Sequence, residues 1–216
     1  AKLTTRISAD KQDELGCAIE EGIHMATRIV AIGGTVSPGS TTEFALRVAM
    51  ASAVAQGAEV TLFDGAYLAN LAHYRSGAHS TGDGAEMVEA VRSADGILIA
   101  APGYHGTISG LVKNALDYLE DLANDGRPYL DGRAVGLIAT AYGDQATMST
   151  MQTLRSIVHA LRGWPTPMGA TVRTYPGLFS QDGECLDDRV RSQLELVGQQ
   201  LVHGARSLAS PEKATT

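Results

Sequence analysis

Gly96-Ile97-Leu98-Ile99-Ala100 runs straight into Ala101-Pro102-Gly103-Tyr104-His105-Gly106-Thr107-Ile108-Ser109-Gly110-Leu111-Val112-Lys113-Asn114-Ala115-Leu116-Asp117-Tyr118. The first five residues are short, apolar and bounded by glycine, the signature of a buried parallel strand. Leu111, Ala115, Leu119 and Leu122 then recur at helical spacing. The residues between are small or aromatic and carry free backbone N–H groups at the carboxyl edge of the strand. Such a loop can lie flat against a planar ligand, or it can be a plain strand-to-helix turn. An earlier loop of complementary chemistry favours the ligand.

That earlier loop follows Thr27-Arg28-Ile29-Val30-Ala31-Ile32-Gly33, another predicted buried strand. It reads Gly34-Thr35-Val36-Ser37-Pro38-Gly39-Ser40-Thr41-Thr42 and enters a helix whose apolar stripe is expected at Phe44, Val48, Ala51 and Ala55. Hydroxyls at a helix N-terminus suit a phosphate monoester, because unpaired N–H groups and the helix dipole favour an anion there. Ser40, Thr41 and Thr42 would equally serve as a cap. Gly39 is followed by Ser40 where a Walker A motif needs lysine, and no G-x-G-x-x-G is present, so neither nucleotide motif applies.

Further strands are predicted at Ala58–Phe63, at 133–140 and, more weakly, at 168–172, with helices at 83–93, after Asp144 and over Val190, Leu194, Val197 and Leu201. Pro165 and Pro167 rule out helix between the last two. Asp64 to Gly82 reads as a long loop, a feature usually functional or mobile in a compact domain. Its His73, Tyr74 and His79 either cover the site or meet a second subunit. A third functional-looking loop, Ala141-Tyr142-Gly143-Asp144-Gln145, follows the fourth strand. Asn114 is expected to bond locally, Lys113 to pair with Asp117, and Trp164 to pack.

Five strands alternating with helices predict a three-layer, doubly wound parallel α/β sheet. In the flavodoxin-like order 2-1-3-4-5, strands one and three are neighbours at the switch point, so their loops share one crevice. The boundaries expected are a domain over 25–209, a loose tail over 210–216, and an N-terminal segment over 1–24. That segment reads as a packing arm or a vector-derived leader.

The chain's 17 Lys and Arg against 24 Asp and Glu give a net charge of −7, with no basic stripe, which argues against nucleic acid. No apolar run suits a membrane span. Cys17 and Cys185 form no CxxC, and the six histidines form no HxxxH, so neither a disulfide framework nor a metal centre is indicated. A cytoplasmic setting is expected.

The two main loops together resemble the NAD(P)H-dependent FMN reductase family, a branch of the flavodoxin-like fold. Its phosphate loop reads roughly G-[ST]-x-R-x-x-S-x-[NST]. Thr35, Ser40 and Thr42 fall on the hydroxyl positions, and Ser37 stands where the family has arginine. Its flavin loop reads roughly P-x-Y-x-x-x-x-x-G-x-[LV]-K-N-x-L-D, matched by Pro102, Tyr104, Gly110, Val112, Lys113, Asn114, Leu116 and Asp117. The resemblance implies that Thr35, Ser37, Ser40, Thr41 and Thr42 surround the FMN phosphate. Pro102, Gly103, Tyr104, His105 and Gly106 would line the isoalloxazine, with Tyr142 and Gly143 approaching from the third loop.

It further implies hydride transfer from NADPH or NADH to flavin N5, with no catalytic side chain required. Electrons would pass to free flavin, a quinone or another small acceptor, in a homodimer or tetramer that a flavin-dependent monooxygenase could draw on. Rival readings are a flavodoxin-type electron carrier and a pathway enzyme acting on a dedicated substrate, even the flavin itself.

Overall fold

The central strands are apolar on both sides, and each side finds its own cover. The computed structural model describes residues 26–77 and 80–209. The expected arm, the expected tail and His79 lie outside the described residues. Strands β1 (Thr27–Gly33), β2 (Ala58–Phe63), β3 (Gly96–Tyr104), β5 (Ala134–Ala141) and β6 (Trp164–Arg173) form a parallel sheet in the order β2-β1-β3-β5-β6. A two-residue strand, β4 (Thr107–Ile108), pairs antiparallel with the end of β3. Counting that hairpin strand separately, the path is the expected flavodoxin-like one.

Side chains alternate across a strand. Ile97 and Ile99 therefore face α3 (Asp83–Ser93), α4 (Gly110–Asp117) and α5 (Asp144–Ala160) in one core, through Met87, Val112 and Leu154. Leu98 and Ala100 face α1 (Thr41–Ala55) and α6 (Asp188–Ala209) in the other, through Leu46 and Leu201. No described helix is long and apolar enough to cross a membrane.

Several elements differ from expectation. Helix α1 buries Thr42, Ala45, Leu46, Ala49, Ser52 and Ala53, while Ala51 and Ala55 are exposed and Phe44 and Val48 half-buried. Its residues are apolar nearly all round, so periodicity does not choose a face. The choice is made by close approach to α6, where a Cβ at Gly198 would lie 2.4 Å from the Ala49 carbonyl oxygen. Within 64–82 a short helix, α2 (Gly65–Asn70), forms because the Asp64 carboxylate accepts from the Tyr67 N–H at 2.9 Å. Strand β6 begins at Trp164, with both prolines inside it. It is an edge strand with one neighbour and a register shift opposite Val135–Leu137, where missing N–H groups are tolerated. Trp164 consequently stands 60% exposed instead of packing.

Arg133, at the foot of β5, is 1% exposed. It donates to the carbonyls of Arg92, Tyr129 and Ala94 at 2.7, 3.0 and 3.2 Å, so a cation closes the C-terminal end of α3. Burial, with Arg127 nearby, pushes its pKa down to about 10. Replacing it by leucine leaves those carbonyls without their donor. Arg133→Leu should therefore lower unfolding free energy by about 3 kcal/mol, read as a fall in the urea midpoint at unchanged slope.

Candidate functional site

Three turns rise from the carboxyl ends of β1, β3 and β5, which are adjacent in the sheet. The first, residues 34–40, folds on itself: the Thr35 hydroxyl donates to the Ser37 carbonyl at 3.1 Å and accepts from the Ser37 N–H at 3.2 Å. A Cβ at Gly65 would lie 1.9 Å from the Thr35 carbonyl oxygen, so the β2–α2 turn is pressed against this loop. Ser40 caps α1 by accepting from the Glu43 N–H at 3.2 Å, and Glu43 reaches back to accept from the Gly39 N–H at 3.0 Å. This reciprocal arrangement is close to a capping box. Arg47 sits 2.8 Å from the same carboxylate and neutralises it.

Helix α1 begins with donors that have no partner within the helix. Ser40 takes those of Glu43 and Phe44. The N–H groups of Thr41 and Thr42 remain available for an anion. The Thr42 side chain is turned away from them. It is buried, and its hydroxyl lies 2.6 Å from that of Thr140 at the end of β5. This bond carries the start of α1 across β3, drawing the first and third turns together.

The second turn is a tight hairpin where the sequence reads as a loop or a plain strand-to-helix turn. Tyr104 pairs with Thr107 and Gly103 with Ile108, and the two residues between take positive φ: 52° at His105 and 91° at Gly106. Both central residues left-handed is the turn that suits twisted strands. Ser109 locks its base, donating its N–H to the Pro102 carbonyl at 3.1 Å and capping α4 by accepting from Val112 at 3.3 Å. Beneath the hairpin a Cβ at Gly103 would meet the Thr150 hydroxyl of α5 at 2.3 Å. That hydroxyl is buried and has no hydrogen-bond partner.

In the third turn Tyr142 is 85% exposed, and Gly143 precedes α5 with φ −120°. A Cβ there would meet nothing within 4 Å. Neither backbone conformation nor protein packing demands glycine at that position, which leaves room for close approach by a ligand. Tyr104, Val36 and Met148 add exposed apolar surface at the same edge, 51%, 65% and 51% accessible. The sequence reading placed the hydroxyl, hairpin and Tyr142–Gly143 residues on one edge, where the structure has them. It missed Thr140 and Thr150, which look like ordinary strand-end and helix residues until the tertiary contacts are known.

Ala72, Tyr74 and Ser80 are tied to α4 and the 3₁₀ turn Tyr118–Leu122. Asn114, expected to bond locally, instead accepts from the Tyr74 N–H and donates to the Ala72 carbonyl, both at 3.0 Å. The Tyr118 hydroxyl donates to that carbonyl at 2.8 Å, and the Ser80 N–H donates to Asp121 at 3.0 Å. Burial and the facing Asp121 carboxylate push the Tyr74 hydroxyl pKa up. A cavity of about 640 Å³ lies here, lined by His73, Tyr74, Arg75 and Tyr118 among others, and none of the three turns contributes to it. Lys113 pairs with Asp117 as expected.

A family model described as NADPH-dependent FMN reductase matches residues 27–175. The FMN-dependent NADPH-azoreductase of Staphylococcus haemolyticus is 31% identical over 121 residues, covering 54% of this chain and 60% of the relative. The NADPH azoreductase of a Bacillus species is 30% identical over 98 residues, covering 45% of this chain and 50% of the relative. The match thus spans little more than half the length of these relatives. Among solved structures, the flavoenzyme NAD(P)H:(acceptor) oxidoreductase FerB of Paracoccus denitrificans superposes with a TM-score of 0.71 at 17% identity, over 84% of this chain and 98% of that one. The apo form of the NADH:FMN oxidoreductase EMOB gives a TM-score of 0.65 at 25% identity, over 86% and 92%.

Because the Thr150 hydroxyl is buried without a partner, an isosteric apolar group should be better tolerated in the ligand-free protein. Thr150→Val is expected to raise thermal stability, by about 1 kcal/mol at the transition, measured by calorimetry without added flavin.

Proposed function

The chain belongs to the NADPH-dependent FMN reductase family, and from that premise we propose that it holds FMN noncovalently across the three turns and reduces a small acceptor with electrons from NADPH or NADH. The observation that carries this reading is the Thr42–Thr140 hydrogen bond, which brings the free first-turn amides of α1 to the edge where the hairpin and Tyr142 stand. The residues present suit such a ligand. Amides and hydroxyls face an anionic tail, and Gly106 and Gly143, whose Cβ positions would meet nothing within 4 Å, leave room beside a flat ring.

In this reading Ser40 and Thr41 hold the phosphate with hydroxyls and amides, while Thr35, whose hydroxyl proton goes to the Ser37 carbonyl, and Thr42, whose hydroxyl is spent on Thr140, offer only their amides. Ser37 lies at the exposed tip, at the position where the resemblance described above implies an arginine. Pro102, Gly103, Tyr104, His105 and Gly106 form the wall beside the ring, and their rigid hairpin keeps backbone donors in place. Tyr142 and Gly143 close the third side. Bound there, FMN supplies a two-electron carrier that accepts hydride from a reduced nicotinamide and gives electrons to the acceptor. The chain's part is to orient both partners, so no side-chain base or nucleophile is assigned.

The acceptor class that fits an open edge is a planar compound: free flavin, a quinone or an azo compound, the last supported by the names of the relatives. A homodimer or tetramer in the cytoplasm, with a flavin-dependent monooxygenase as one consumer of reduced flavin, completes the proposal.

The purified protein should show an oxidised-flavin absorption spectrum, with the chromophore released on boiling. Stopped-flow mixing with NADPH should bleach it rapidly; a bound flavin that does not bleach would indicate an electron carrier instead. Since a general acid contributes about 10²–10⁴-fold, His105→Asn should keep the bleaching rate within about threefold, and a hundredfold loss would give His105 a proton-transfer role. Restoring a cation with Ser37→Arg should tighten FMN binding by about tenfold, as expected of a charge-assisted hydrogen bond, measured by fluorescence quenching.

A further inference from the structure

Beside the N-terminus of α1 lies a second cavity of about 360 Å³, lined by Gly39, Thr41, Phe44, Tyr175, Phe179 and Gln181 among others. That is within the roughly 300–1,000 Å³ of small-molecule sites. Its walls are aromatic, and none of the described residues lining it carries a charge. The rings of Phe44 and Phe179 lie 5.5 Å apart, tilted by 45°. Gln181 brings an amide that both donates and accepts.

The pocket is built in advance. Gly183 has φ +85°, and a Cβ there would lie 2.7 Å from the Phe44 ring, so the turn can press on that ring only as glycine. The turn is closed by the Ser180 N–H donating to the Glu184 carbonyl at 2.9 Å and by the Glu184 N–H donating to the Ser180 hydroxyl at 3.0 Å. The Tyr175 hydroxyl donates to Asp187 at 2.7 Å, and Asp187 in turn accepts from Arg189 and Val190 at the start of α6. The aromatic walls are therefore held in place before any ligand arrives, which reduces the ordering cost of binding.

A neutral, aromatic pocket that shares Gly39 and Thr41 with an anion-binding turn has the chemistry of a nucleobase site next to a phosphate site. We propose that this pocket takes the adenosine part of a dinucleotide whose phosphate lies at the N-terminus of α1. The proposal rests on the phosphate-binding reading given above. Two ligands carry this chemistry: FAD, whose pyrophosphate would take the place of the FMN phosphate, and the nicotinamide donor, whose adenylate phosphate would lie beside the FMN phosphate at that turn.

Isothermal titration of the full chain, with copurified flavin exchanged out, tests it using 5′-AMP, FMN and FAD as probes. 5′-AMP should bind. Base–aromatic stacking is worth about 1–3 kcal/mol, so Phe179→Ala should weaken AMP about tenfold while leaving FMN affinity unchanged. Phe179→Leu keeps apolar volume and removes only the ring, and it should give the same result if truncation to alanine disturbs the loop. If FAD is the source, FAD binds at least as tightly as FMN and loses the same factor in the variants. If the donor is the source, FMN is preferred and Phe179→Leu raises the KM for NADPH about tenfold at unchanged kcat. The proposal is overturned if 5′-AMP does not bind, or binds equally well to both variants. Phe179-dependent binding of AMP without any binding of FMN would uphold the pocket and overturn the flavin reading.

Discussion

The hydrogen bond between Thr42 and Thr140 joins residues 98 positions apart, inside the protein, and the candidate site depends on it. A parallel sheet places every loop after a strand on one edge, but it does not bring loops separated by an intervening strand into register. Here the start of α1 is drawn over β3 to the end of β5. The hydroxyl pair is buried, so losing one partner would leave the other unsatisfied, which makes the arrangement costly to disturb. The contact of Gly65 with the Thr35 carbonyl holds the same loop from its other side.

Strands β1, β2, β3 and β5 were legible because each carries a β-branched or aliphatic run, and right-handed crossovers restricted the sheet order to few alternatives; β6 was legible only over 168–172, because its two prolines hid the start at Trp164. The two main loops were legible in position, because each follows a strand at the carboxyl edge of the sheet, while hydroxyls before a helix serve as well for a cap as for a ligand. The face of α1 was not legible. In a helix rich in alanine, the packed side is chosen by how near the neighbouring helix comes, and Gly198 sets that distance from 143 or more residues away in the chain. The hairpin at His105 was hidden for a different reason. Its turn requires positive φ at two positions, and histidine gives little local notice of adopting it. Asn114 reads as a local side chain until its bonds to Ala72 and Tyr74 are seen.

Electrostatics at the first turn are balanced without a lysine or arginine directed at the anion position. Glu43 stabilises the start of α1 by satisfying the Gly39 amide, yet it also sets a carboxylate beside a place suited to negative charge. Arg47, one helical turn on, offsets that charge. On the proposed reading an anion is therefore attracted by the helix dipole and the amides of Thr41 and Thr42, a short-ranged and orientation-dependent pull. Such a site favours a ligand that also makes contacts elsewhere, since the phosphate alone is held by few charge-assisted bonds.

On that reading the aromatic surface supplies those other contacts, and it is distributed unevenly. Around Phe44, Tyr175 and Phe179 the rings are fixed by a tight turn and a hydroxyl–carboxylate bond. At the hairpin edge Tyr104 and Tyr142 are 51% and 85% exposed. A rigid wall selects by shape, because a ligand that does not fit must disturb packing. An exposed ring selects weakly, because it can turn to meet many planar partners at little cost. On the reading proposed here, discrimination therefore belongs to the phosphate end of the site, and the open hairpin edge is suited to admitting planar acceptors of differing size.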